Sequence, residues 1–191
     1  MDTQKIEKSV RDLLSALGED PKREGLLDTP ARVAKSYKKL FGGYQEDPSK
    51  LITVFQNEGY NEMLIAKDID FYSTCEHHMM SFFGRVYIGY IPNDKILGLS
   101  KLPRLVEIFS RRLQNQERLT KQIADTLNDL LKPKGVGVVI KAEHLCMKAR
   151  GVEKQNCTIS TSSFTGLFIK NLNTREEFLN LIKEPTTEWG G

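Results

Sequence analysis

Two short segments hold every histidine of this chain and two of its three cysteines. The first, STCEHHMM, carries Cys75, His77 and His78; the second, AEHLCMKAR, carries His144 and Cys146. Zinc takes thiolate and imidazole ligands, and a catalytic zinc site uses three protein ligands and keeps a fourth position open. Cys75 and His78 are three residues apart, so one turn of backbone aims both at one ion. Cys146 would add the third ligand from a distant segment. His77, beside a ligand, should point elsewhere and stay free for proton transfer, and His144 would flank the same pocket. Three ligands and two proton carriers around an open position suit hydrolysis, because a bound dication lowers the pKa of water from about 16 to about 7.

Plainer readings compete. A Cys-x-x-His alone is a weak signal, and buried cysteine is ordinary packing material. His144 could be a satisfied core histidine. Cys157 reads as a buried small residue with no chemistry. The second cluster favours the metal reading, and an odd, small cysteine count argues against a disulfide framework. A structural zinc clip usually takes four protein ligands, which favours an open, catalytic site.

The sequence has neither a G-x-x-x-x-G-K-[ST] loop nor a G-x-G-x-x-G turn. A nucleotide would therefore be held by side chains, with Lys35, Lys101, Arg104, Lys148 and Arg150 as candidates. Their commoner fate is a solvated surface. Glu117 is ordinarily a favourable first-turn acid, but a carboxylate can also accept two N–H bonds from a guanine edge.

The elements that must position these residues follow from periodicity. Ile6, Val10, Leu13, Leu14 and Leu17 predict an amphipathic helix over 3–17. In DTPARVAKSYKKLFGG, Thr29 reads as the cap, Pro30 as the first helical residue and Gly42–Gly43 as the stop. Alternation predicts strands around Ile69 and Phe71 and around Val86, Ile88 and Tyr90, the second ending at Pro92–Asp94. Helices follow over 103–113 and 116–131. A strand from Gly135 places Val136, Val138, Ile140 and Ala142 on one side, with His144 and Cys146 on that side if it continues. A last strand lies near 157–164. Thr174 and Glu177 suggest a capping box for a short final helix, after which EPTTEWGG reads as frayed or as an intersubunit contact. The ββαα grouping points to an α+β domain with an antiparallel sheet.

With 191 residues, 39% hydrophobic and 28% charged, the chain suits one domain. Its net charge of +3 is too weak for a nucleic-acid protein but leaves room for a local basic pocket. No membrane span is visible, and the opening MDTQKIEKSV lacks a basic-then-apolar run. A cytoplasmic location is expected.

The segments STCEHH, YIP, GLSKLPRLVEIFSRRLQNQERLT, HLCMKARG and NTREEFL together resemble the GTP cyclohydrolase I family, over roughly 29–181. The resemblance implies the tunnelling fold, an antiparallel four-stranded sheet in ββααββ order preceded by N-terminal helices. It divides the chain into an N-terminal helical segment, 1–45, and a catalytic domain, 46–191. It implies a ring-shaped homodecamer with active sites at subunit interfaces. The implied reaction converts GTP and water into formate and 7,8-dihydroneopterin triphosphate, the entry to folate or other pterin pathways. The family's zinc ligands fall on Cys75, His78 and Cys146, and its acid–base histidines on His77 and His144. Its guanine-holding glutamate falls on Glu117, with Gln116 beside it. Its triphosphate contacts fall on Lys35, Lys101, Arg104 and Arg150, with Ser100 next to them. A nitrile reductase of the same fold, using a cysteine nucleophile and NADPH, is the nearest enzyme rival; a structural zinc module is the non-enzymatic one.

Overall fold

The structure is a computed structural model, and it describes residues 1–51 and 53–183. Helix α1 (Thr3–Ala16) is capped by Asp2, whose carboxylate accepts from the Lys5 N–H at 3.0 Å. It packs on α2 (Thr29–Leu40). The cap position of α2 is Asp28, and Thr29 is already helical, so the expected Thr29 cap is displaced by one residue. The side chain of Asp28 pairs with Arg32 at 3.1 Å and makes no capping bond. No residue of α1 is fully buried, and Leu13 and Leu17 on its apolar face stay exposed.

A short α3 (Pro48–Leu51) leads to β1 (Val54–Gln56) and then to the long hairpin β2 (Leu64–Cys75) and β3 (Ser81–Ile91). After β4 (Lys95–Leu97) come α4 (Lys101–Ser110), β5 (Leu113–Gln114) and α5 (Gln116–Leu131). The chain closes with β6 (Gly135–His144), α6 (Leu145–Lys148), β7 (Ile159–Phe164), α7 (Leu167–Lys170) and α8 (Leu172–Leu181).

Strands β2, β3, β6 and β7 form the expected antiparallel sheet in that order, and the α+β class is as expected. Two additions were not anticipated. β1 and β4 make a separate antiparallel pair, and β5 adds to the end of β2 in parallel. Leu113 was expected to end a helix. Instead α4 stops at Ser110, Arg111 leaves helical geometry, and Leu113–Gln114 run extended beside Thr74 and Cys75. The final helix is capped by Asn171, whose side chain accepts from the N–H groups of Asn173 and Thr174, rather than by a box at Thr174. The tail expected to be frayed or in contact, 184–191, lies outside the described residues.

One sheet face carries Phe71, Phe82, Val86, Ile88, Val138 and Ile140 against Leu105, Leu119, Ile123 and Leu127 of α4 and α5. Each such fully buried side chain contributes about 1.5–3 kcal/mol. The opposite face is covered by α7 and α8 at Tyr87, Ile91 and Val139, through Phe168, Phe178 and Ile182. Gly89 lets α8 approach, because a Cβ there would sit 2.8 Å from the Phe178 ring. Residues before 46 are tied to the rest of the chain. Gly43 packs so closely on α4 that a Cβ would lie 2.1 Å from the Ile108 carbonyl oxygen. Arg112 Nε donates to the carbonyls of both Gly43 and Ile108.

The topology explains how distant segments meet. β3 runs antiparallel to both β2 and β6, so β2 and β6 run the same way and end at the same end of the sheet. Cys75 terminates one and His144 terminates the other. Among the described residues no helix is long and apolar enough to cross a membrane.

Candidate metal-centred site

The loop after β2 is built by its own backbone. Met79 N–H donates to the Cys75 carbonyl, Cys75 N–H donates to the Met80 carbonyl, and Met79 takes a left-handed φ of 54°. Between them Glu76, His77 and His78 make one tight turn. That turn brings Nδ1 of His78 to 4.0 Å from Cys75 Sγ. Nδ1 of His77 lies 3.8 Å from the same sulfur, while its Nε2 lies 3.8 Å from Glu76 Oε1. Cys75 is also pinned from the side by β5, and Glu76 N–H donates to the Gln114 carbonyl at 2.9 Å.

The second segment departs from expectation. β6 does not run on past His144; the chain turns into α6, and Cys146 sits on that helical turn. The turn, rather than strand alternation, directs Cys146 toward Cys75. Ligand atoms of Cys75, His78 and Cys146 lie within 4.8 Å of one another, with both cysteines buried and the histidine exposed. Two thiols and one imidazole at this spacing can hold a metal ion, and they leave a coordination position open. Burial, and Cys75 beside it, push the Cys146 thiol up. A dication would reverse that, since a coordinating thiol is deprotonated outright.

A cavity of about 350 Å³ is lined by these three residues together with His77, Gln114, Asn115, Gln116, Glu117, His144, Met147 and Ile159. His144 stacks on Phe82, with ring centroids 4.6 Å apart and planes 4° from parallel. Its Nε2 lies 2.8 Å from Gln116 Oε1. Burial pushes the His144 pKa down, with the Glu117 carboxylate pulling weakly the other way. Glu117 is exposed on the first turn of α5, facing the cavity.

Three residues that sequence reasoning passed over join the metal loop to α5. Arg118 grips both carboxylate oxygens of Glu76, and Asn115 Nδ2 donates to Glu76 Oε1 at 2.9 Å. Asn115 Oδ1 also caps α5 by accepting from the Arg118 N–H at 2.8 Å. These bonds hold the Glu76 carboxyl below the usual carboxylate range. An asparagine one residue before a helical run is a readable cap signal; its partner Glu76 is not readable.

Other expected residues lie elsewhere. Arg150 reaches His78, with its guanidinium 3.3 Å from Nε2. Lys148 turns to Glu143 at 2.6 Å. Arg104 borders a separate groove with Asp70, Tyr72, Glu107 and Arg111. Lys35 is exposed on α2, and Ser100 and Lys101 sit at the start of α4, none of them lining the metal-centred cavity. Gln116 lines the cavity but is nearly fully buried, and its side-chain amide is engaged within the protein. Cys157, expected to be buried, is only half-buried.

The fold and this donor set define the class: an α+β protein with a Cys₂His site open to a cavity. The sequence profile of the GTP cyclohydrolase I family matches residues 6–183. Several curated proteins called GTP cyclohydrolase 1 are similar along nearly their whole length. The one from Porphyromonas gingivalis is 57% identical over 179 residues, 93% of this chain and 92% of that protein. The one from Wolinella succinogenes is 54% identical, covering 93% and 96%, and that from Campylobacter curvus 51%, covering 94% and 95%. This chain belongs to the GTP cyclohydrolase I family. Among solved structures, an archaeosine synthase QueF-Like in the apo form overlaps 58% of this chain and 97% of its own, at 15% identity and a TM-score of 0.46.

Proposed function

We propose that this GTP cyclohydrolase I hydrolyses GTP to formate and 7,8-dihydroneopterin triphosphate in the cavity bounded by Cys75, His78 and Cys146. The observation that carries the reading is the convergence of three metal-donor atoms within 4.8 Å of one another. His77, His144 and Glu117 line the same cavity. A zinc-like dication held by the three donors would supply Lewis acidity and a water acidic enough to act near neutral pH.

The chain's own residues do the rest. Glu117 accepts the N–H groups of the guanine edge and so fixes the base at one end. His144, kept neutral by its burial, accepts and returns a proton as the imidazole ring of the purine opens and formate leaves. His77 handles proton transfer at the ribose, which opens, rearranges and closes on the exposed amino groups. An imidazole nitrogen facing a guanidinium can only accept. With a metal held by His78, Nε2 would either be the ligating atom or carry the ring hydrogen. In both cases it would have no lone pair for Arg150, whose guanidinium would then be available for the triphosphate.

Lys35, Ser100, Lys101 and Arg104 are the remaining triphosphate contacts. They lie away from the cavity of their own chain, so a second copy supplies them, in a homodecamer with active sites between subunits. The test is direct. Incubation with GTP should yield formate and, after oxidation, a fluorescent pterin, and a chelator should abolish both. No product from the metal-loaded protein would refute the reading. For the shared site, His77→Ala and Arg104→Ala chains, each inactive alone, should regain activity when reassembled together; no regain would place both residues on one chain's site.

A further inference from the structure

Gln116 opens α5, is 2% exposed, and uses both polar ends of its side chain inside the protein. Its Nε2 lies 3.1 Å from the Ile140 carbonyl oxygen and 3.0 Å from that of Ile159. A carbonyl oxygen only accepts, so this end of the amide is nitrogen. Turning the amide over would set oxygen against two oxygens, so the hydrogen-bond network fixes which end is nitrogen.

The neighbouring hydroxyls agree. Thr120 Oγ1 donates to the backbone carbonyl of Gln116 at 2.7 Å, which uses its only hydrogen. Thr161 then donates to Thr120 across 2.6 Å and offers a lone pair to Gln116 Nε2 at 3.1 Å, so that the two amide hydrogens are shared among three acceptors. With the nitrogen settled, Gln116 Oε1 is what lies 2.8 Å from His144 Nε2. An amide oxygen cannot donate, so Nε2 carries the hydrogen. A neutral imidazole has one donor and one acceptor nitrogen, and Nδ1 is the acceptor. The parallel stack on Phe82 holds the ring plane.

We propose that Gln116 is a positioning residue that holds neutral His144 as its Nε2–H tautomer, leaving Nδ1 as the proton-accepting nitrogen, and that its side chain does not bind the substrate. This replaces the expected substrate contact at Gln116, and it rests on the reading of His144 as a proton carrier. Thr120 and Thr161 act behind Gln116 by fixing which way its amide faces.

The sequence has only three histidines, so ring-¹⁵N-histidine labelling of the metal-loaded full-length protein gives a readable solid-state NMR spectrum. The His144 signals are identified by their loss in His144→Asn. At about pH 8.5, where an ordinary histidine is neutral, the wild type should show one tautomer with the proton on Nε2. A proton on Nδ1, or the averaged shifts of an unrestrained ring, overturns the proposal without requiring any variant to fold. In Gln116→Met the ring should show both tautomers. Its kcat should fall about tenfold or more while KM for GTP stays within about twofold. A raised KM with unchanged kcat would make Gln116 a substrate contact and overturn the proposal. The turnover of His144→Asn tests the proton-carrier reading separately, because full activity there would refute that reading while the wild-type tautomer still reports on Gln116.

Discussion

The donor set is assembled from two arms of unlike construction. The arm after β2 is a surface turn in which His77 and His78 are exposed, the His77 side chain at 65%. What steadies it is ionic and peripheral: Arg118 and Asn115 hold Glu76, and β5 holds Cys75. The arm after β6 is set in the core. His144 is clamped by the Phe82 ring and the Gln116 amide, and Cys146 is buried on a helical turn. Groups locked by packing and buried hydrogen bonds are pre-organised, whereas exposed side chains give up rotamer entropy when they engage. The core arm is therefore the more pre-organised of the two, and more of the ordering cost of binding falls on the exposed side chains of the surface arm.

Substitutions on each arm can break this contrast. The largest effect is expected for Cys146→Ser, which removes a buried candidate ligand; metal retention after dialysis and turnover should both vanish. Tight metal binding by that variant would take Cys146 off the ligand set. Next, His77→Ala should keep its metal yet lose about 10²–10⁴ in kcat, the usual worth of a positioned acid or base. Loss of metal along with activity would make His77 structural. Phe82→Leu, which removes the ring beneath His144, should cost less, about threefold to tenfold in kcat with metal content intact. An unchanged rate would show that Gln116 alone positions the imidazole.

Glu76→Gln should have the smallest effect, and it carries a pH signature. The folded-state pKa of Glu76 is lowered, chiefly by Arg118 and then by Asn115. Its stabilisation is therefore present above the ordinary carboxylate value of 4.5 and is lost as pH falls through the lower folded value. At pH 7 the variant should melt a few degrees below the wild type, and the gap should close in acid. A gap that does not narrow as the pH falls would mean that the pair is not the source of the difference.

Much of this was legible in the sequence because it depends on local order. Apolar spacing, closed by Pro133 and Gly135, places α5 at Gln116–Leu131, and alternation finds β2, β3 and β6, while a run rich in Thr and Ser marks β7. The crowding of Cys75, His77, His78, His144 and Cys146 into two segments marks the candidate chemistry, since the side chains able to bind a metal or carry a proton follow from residue identity. Caps were less legible. Asp28 takes the cap position one residue before Thr29, and Asn171 caps the final helix three residues before Thr174, because capping depends on where helical dihedrals begin. β5 was missed because a two-residue strand has no periodicity and exists only through its pairing with Thr74 and Cys75.

By itself the sequence determined which atoms could hold a metal and move protons, and which elements would carry them. Only the tertiary structure decided that β2 and β6 end together, because strand direction in a sheet is set by pairing with β3 and not by either strand. It also decided that Cys146 is aimed by a helical turn and not by strand alternation. The fate of Gln116 was decided there too. Its amide meets the Ile140 and Ile159 carbonyls only after β6, β7 and α5 have packed, so its hydrogen-bond directions could not be read from the residue itself. Metal ligation depends on residue type, which a sequence states; tautomer and orientation depend on what surrounds a polar atom, which only packing supplies.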